Sequence, residues 1–118
     1  VQRVDSASWP AWSEVATYVA VAHLQLRMPW VRSLKEKRGL VVPIVAALQR
    51  RYPLSVARVA GHDALTWERL ALAQVGSDPD ALRGTMAAAE RVVLAAGVEL
   101  AWSHVDVEAW DDAPSERV

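Results

Sequence analysis

Four basic residues crowd one short stretch of the chain: Arg32, Lys35, Lys37 and Arg38. They surround the start of a predicted helix, where free backbone amides and long cationic side chains together suit a phosphate or another anion. The competing reading is a capped helix with an ordinary solvated basic face. Positive charge at a helix start is mildly unfavourable unless an anion compensates it, so the cluster is read as an anion or RNA contact. Trp30, His62 and Trp67 are read as neighbouring contacts to a partner.

Two other groups of residues carry chemistry in principle. His62 and Asp63 have the composition of an acid–base pair, since imidazole moves protons near neutral pH and a carboxylate orients it. Adjacency in sequence does not supply that geometry, and no Ser or Cys nucleophile motif accompanies them. His23, His104 and Asp106 have the composition of a metal site, but polar groups on an open sheet face are ordinary. Gly61, Gly76, Gly84 and Gly97 are dispersed and form no phosphate-cradling loop. With no cysteine in the chain, thiolate metal sites, disulfides and cysteine nucleophiles drop out. No catalytic residue, cofactor or metal is therefore assigned, and a small-molecule enzyme of unknown reaction stands only as an alternative.

The elements that position these residues follow from periodicity. Val15 to Leu26 alternates as a strand, with Tyr18, Ala20, Ala22, Leu24 and Leu26 on one face and Val19, Val21, His23 and Gln25 on the other. Apolar residues on both faces predict an interior strand. Ser33 caps the next element, a helix whose Glu36 is expected to accept the Ser33 amide hydrogen. Its buried stripe is predicted as Leu34, Val41, Val45 and Leu48, with Ile44 alongside; Pro43 predicts a kink and Pro53 the stop. Leu54 to Ala60 and Trp67 to Val75 read as two strands joined by a hairpin loop. Asp78, Pro79 and Asp80 open a second helix with Leu82, Met86, Ala89 and Val93 as its stripe and Gly97 at its end. The last strand, Val98 to Trp110, places Ala101, Val105, Val107 and Ala109 opposite Leu100, Trp102, His104, Asp106, Glu108 and Trp110.

Right-handed crossovers assemble these elements into a ferredoxin-like βαββαβ fold. This is an α/β (α+β) two-layer sandwich: a mixed antiparallel four-stranded sheet, strand order 4-1-3-2, with two helices on one face. The 118 residues, 53% of them hydrophobic, fit a single core over residues 14–110. Residues 1–13 read as a flexible N-terminal arm containing Trp9 and Trp12, and 111–118 as an acidic C-terminal tail. No long apolar run and no secretory leader are visible, so a soluble cytoplasmic protein without a membrane partner is expected. Charge is uneven. Residues 27–69 carry +6, and residues 70–118 carry −6, against a total of −1. Two small helices cannot cover the second sheet face. Val19, Val21, Leu100, Trp102 and Trp110 are therefore read as a surface on which a homodimer forms.

The run Pro29, Trp30, Val31, Arg32, Ser33, Leu34, Lys35, Glu36, Lys37, Arg38 resembles the signature of the DUF503 or YlxP-like family of small uncharacterised bacterial proteins. The resemblance extends over about residues 15 to 110, through Leu54 to Ala60, the Asp63 loop, Gly76-Ser77-Asp78 and the closing strand. It implies a ferredoxin-like fold. Genes of that family often lie near those for ribosome maturation and translation initiation factors, which implies a setting in translation. Relatives often carry a Trp near the position of Leu65, whereas this chain has Trp67. The fold also resembles the layout of RNA-recognition motifs. Its third strand, however, has Leu70, Ala71, Leu72, Ala73 and Gln74 in place of stacking aromatics, so base recognition by the open sheet is not expected. The functional expectation is a non-enzymatic, translation- or ribosome-associated binding protein that contacts structured RNA or a ribosomal subunit through its basic edge. The alternative is a homodimeric structural or protein-interaction module.

Overall fold

The computed structural model describes residues 16–110; the expected arm, with Trp9 and Trp12, and the acidic tail lie outside the described residues. Six elements follow in order: β1 (Thr17–Arg27), α1 (Leu34–Arg51), β2 (Ser55–Ala60), β3 (Trp67–Gly76), α2 (Pro79–Ala95) and β4 (Glu99–Trp110). The sheet order is β2-β3-β1-β4, and all three pairings are antiparallel. This is the expected ferredoxin-like arrangement, with β1 interior.

The core lies between one sheet face and the helices. Ala20, Ala22, Leu24 and Leu26 of β1 and Leu70 and Leu72 of β3 supply the sheet side. Val41, Ile44 and Leu48 of α1 and Leu82, Met86, Ala89 and Val93 of α2 supply the other. Small Ala residues at the centre let the helices approach the sheet closely, and the longer Leu and Met side chains fill the flanks. The α2 stripe is the predicted one.

The α1 stripe differs. Leu34 is exposed and Val45 is half-buried, whereas Lys37, Val41, Ile44 and Leu48 are buried. Their steps of four, three and four residues are true helical spacing, but the rotation puts a lysine under the helix. At the N-cap, Ser33 Oγ accepts from the Glu36 amide at 3.0 Å, as the capping logic requires. The return bond is shifted by one residue: Glu36 Oε1 accepts from the Arg32 amide at 2.7 Å, not from Ser33. The helix runs continuously through Pro43.

β4 requires a second correction. Its pairing with β1 shifts register between Gln25 and Leu26, so that Gln25 faces Trp102 and Leu26 faces Leu100. The extra residue, Ala101, forms a bulge that moves Leu100 to the helix side, where it packs on the core. Leu100 therefore does not belong to the open face, and Ala101 does not share a face with Val105 and Val107. Ser103 sits on the helix side as well, with its Oγ 2.6 Å from Glu90 Oε1 of α2.

Candidate functional site

One end of the sheet gathers most of the residues with chemistry. Arg27 at the end of β1 faces Trp67 on β3 and Glu99 on β4, and the Met28 amide donates to the Thr66 carbonyl at 2.7 Å. The start of α1 and the β2–β3 loop therefore meet at this end.

Inside it lies a buried ion cluster. Lys37 and Glu68 have side-chain exposures of 1% and 0%, and Lys37 Nζ is 3.0 Å from Glu68 Oε1. Arg58 on β2 holds the same carboxylate in a two-pronged contact: its Nε bonds Oε2, and its Nη2 lies 2.9 Å from Oε1. Burial by itself would raise the Glu68 carboxyl. Hydrogen bonds from Arg58 and Lys37, with their charges, outweigh it and hold Glu68 below the ordinary carboxylate range. The same bond to Glu68 raises Arg58, against the opposing effect of its desolvation.

Lys37 also organises the β2–β3 loop. Its ammonium donates to the carbonyls of Gly61 at 2.6 Å, Ala64 at 2.5 Å, Trp67 at 3.2 Å and His62 at 3.3 Å. A connection that would otherwise leave these acceptors to water is thus wrapped around one cation. Gly61 has φ +84°, and a Cβ there would come within 2.8 Å of the Trp67 ring. The absent side chain lets Trp67 pack against the loop that Lys37 fixes.

On the outer face, alternation along β3 turns Arg69 opposite to the buried Glu68 and Leu70. The Arg69 guanidinium carbon lies 5.8 Å from the Trp67 ring centroid and 5.1 Å from that of Trp102, within cation–π range of both. Its Nε donates to Gln25 Oε1 at 3.0 Å. One row further along, His23 faces His104, which contacts Asp106 at 3.1 Å.

The structure separates the four basic residues of the predicted cluster. Arg32, Lys35 and Arg38 are exposed, and none has an ion-pair partner among the described residues. Lys37 is spent in the core, so it is not an anion or RNA contact: a fully buried ammonium with five oxygens around it has no donor left for a ligand. Trp30 is 45% exposed beside this end, and His62 is exposed in the loop. Trp67 is half-buried. The side chains of His62 and Asp63 form no hydrogen bond with each other, and neither residue lines the clefts between α1 and α2 or the trough on the sheet. His23, His104 and Asp106 share the open face, but no group of three metal-ligating side chains close enough to hold an ion occurs among the described residues. Of the proposed dimer residues, Val19, Val21, Trp102 and Trp110 are on the open face and Leu100 is not.

Sequence reasoning missed Glu68, Arg58 and Arg69. Glu68 was legible in principle, because it stands two residues before Leu70 and four before Leu72 on the core side.

The sequence profile of DUF503, described as a protein of unknown function, matches residues 19–106, about three quarters of the chain. The chain belongs to the DUF503 family. The matched segment holds both the ion cluster and the Trp67–Arg69–Trp102 group, so these lie within the family domain. No curated protein matches the DUF503 chain in sequence. Among solved structures, a de novo designed protein, Foldit4, is 12% identical with a TM-score of 0.43, covering 82% of this chain and 99% of its own. A point mutant of SnoaB, a cofactor-independent oxygenase from Streptomyces nogalater, is 14% identical with a TM-score of 0.40, covering 84% of this chain and 97% of its own. Nothing about function follows from either likeness. No helix among the described residues is long and apolar enough to cross a membrane.

Proposed function

We propose that this DUF503 protein is a non-enzymatic binding protein of the translation apparatus, and that it docks on structured RNA through Arg32, Lys35 and Arg38. The observation that supports this most is the excess of positive charge at the start of α1. Three exposed cations, Arg32 just before the helix and Lys35 and Arg38 in its opening residues, outnumber the one acid there, Glu36, whose carboxylate accepts from the Arg32 amide. Such an arrangement is electrostatically costly in isolation and is relieved by a phosphate backbone. Burial of Lys37 sharpens the reading, because the three remaining cations are the ones free to act. The gene neighbourhood that the family resemblance implies supplies the setting. Titration of a ribosomal subunit or a structured ribosomal RNA fragment tests it. Saturable binding that Arg32→Glu, Lys35→Glu and Arg38→Glu together abolish supports the reading, and unchanged binding by that variant removes it.

A second reading, a homodimer formed through the open sheet face, is favoured by exposed apolar groups there: Val75 at 65%, Trp102 at 41% and Val21 at 36%. Sedimentation over a concentration series tests it, and a monomer mass at the highest concentration rejects it.

A further inference from the structure

We infer that the Trp67–Arg69–Trp102 group on the open sheet face binds an unpaired nucleotide of RNA, with Arg69 on its phosphate and the Trp102 indole against its base. This rests on the RNA partner proposed above and adds a second contact of different chemistry, on the face rather than the edge.

The group is built in advance. A free arginine side chain samples many rotamers, and ordering it opposes binding. Here the guanidinium is already placed by Trp102 at 5.1 Å, Trp67 at 5.8 Å and Gln25 Oε1 at 3.0 Å. Trp67 is in turn seated on Gly61, whose carbonyl is tied to buried Lys37. The chain of support thus runs from the ion cluster to the outer face. Only Nε of Arg69 is used. Both Nη groups lack a hydrogen-bond partner among the described residues, and they present the planar fork that matches phosphate oxygens.

The second half of the site is aromatic. Trp67 is half-buried against its loop, but Trp102 is 41% exposed and offers indole surface beyond the part that carries Arg69. A base stacks on such a ring with little regard to its identity. Duplex RNA hides its base faces, so only an unpaired nucleotide satisfies the fork and the ring together. Room for the strand continues alongside. Small residues, Ala57, Ala71 and Ala73, leave a trough of about 180 Å³ on the sheet, bordered by Val21 and Ser55. His23 and His104 lie in the row next to Arg69, about 7 Å along the strands, with ring nitrogens for a following base. The sheet lacks aromatics in the middle of β3; the cross-strand register through Gln25 and Arg27 of β1 brings them in from the strand ends instead.

The test uses fluorescently labelled oligouridylate and oligoadenylate of about ten nucleotides, a length within the range one small sheet domain accommodates. A blunt-ended RNA duplex, which has no unpaired nucleotide, is titrated in parallel against the full chain. The expected result is binding of the single strands, weakened about tenfold by Trp102→Ala and by Arg69→Gln and largely kept by Trp102→Phe. Duplex binding is expected to respond to the α1 charge reversals and not to Trp102→Ala. Circular dichroism of each variant confirms the fold, and both substitutions are on the outer face. Failure of both oligonucleotides to bind, or wild-type affinity in both the Trp102→Ala and Arg69→Gln variants, overturns the inference. If the duplex still binds in that case and loses affinity on α1 charge reversal, the edge-docking function stands and the stacking site alone is wrong. If neither RNA binds, both fall.

Discussion

Replacing Lys37 by Met keeps most of the aliphatic stem and removes the ammonium. The Glu68 carboxylate, fully buried, is then left with Arg58 alone, and four loop carbonyls lose their shared donor. Removing one partner of a buried pair costs about 3–5 kcal/mol, because the other charge remains in a medium that solvates it poorly. The loop carbonyls add little beyond this, since a surface connection turns acceptors to water more cheaply than a core does. Against a typical total of about 5–15 kcal/mol, this is a large fraction. With a urea dependence of about 1–2 kcal/mol per molar for a domain of this size, the unfolding midpoint falls by at least about 1.5 M and by about 2.7 M at the centre of both ranges. The near-ultraviolet signal of Trp67 should change as well, since its loop loses its centre. In a cycle with Glu68→Leu, the double variant is expected to be more stable than the sum of the single losses by at least about 1.5 kcal/mol, because it removes both buried charges and leaves Arg58, with 27% exposure, free to reach water. A midpoint within about 0.5 M of wild type for Lys37→Met, or strict additivity in the cycle, would refute the ion cluster as the organiser of this end.

Acid should weaken the fold through Glu68. Its carboxyl is held below the ordinary range in the folded chain, so the unfolded chain takes up the proton first as pH falls, and stability is lost from about pH 4.5 downward through the folded value. The stability gap between wild type and Glu68→Gln, measured by urea unfolding, is therefore widest near neutrality and narrows below about pH 4; a gap independent of pH would contradict this. Gly61→Ala meets both a left-handed backbone and the Trp67 ring at 2.8 Å, and should cost about 1–3 kcal/mol while altering the tryptophan signal. Gly84→Ala, with nothing within 4 Å of the new methyl, should instead stabilise α2 by up to about 1 kcal/mol in thermal unfolding.

The fold was legible because its signals are local. Alternation in β1, the Asp78-Pro79-Asp80 start of α2 and the Ser33 cap each name an element, and crossover handedness orders the strands. Helix rotation was harder to read. Leu34 and Lys37 are both compatible with Val41 and Leu48 as stripe members, and apolarity alone favours Leu34. The choice of Lys37 depends on Glu68 and Arg58, which come from two other strands and meet it only in three dimensions. The Trp67–Arg69–Trp102 group was hidden for a related reason: Arg69 and Trp102 lie on strands that are not neighbours and meet only across Gln25 of β1, through two cross-strand registers that no local signal fixes. The bulge at Ala101, which turns Leu100 to the core, likewise leaves little mark in a sequence already rich in small residues. The exposed part of the basic cluster, Arg32, Lys35 and Arg38, was legible because helix starts are marked by their caps.

The salt dependence of binding to structured RNA tests the proposed function most directly. Three phosphate contacts release counterions on binding, so the slope of log affinity against log salt should fall by about 2–3 when Arg32, Lys35 and Arg38 are all changed to Gln. A Lys37→Met variant, in the pH and urea range where it stays folded, should keep the wild-type slope, because its charge never faces the ligand. An unchanged slope in the triple variant would contradict the proposed function.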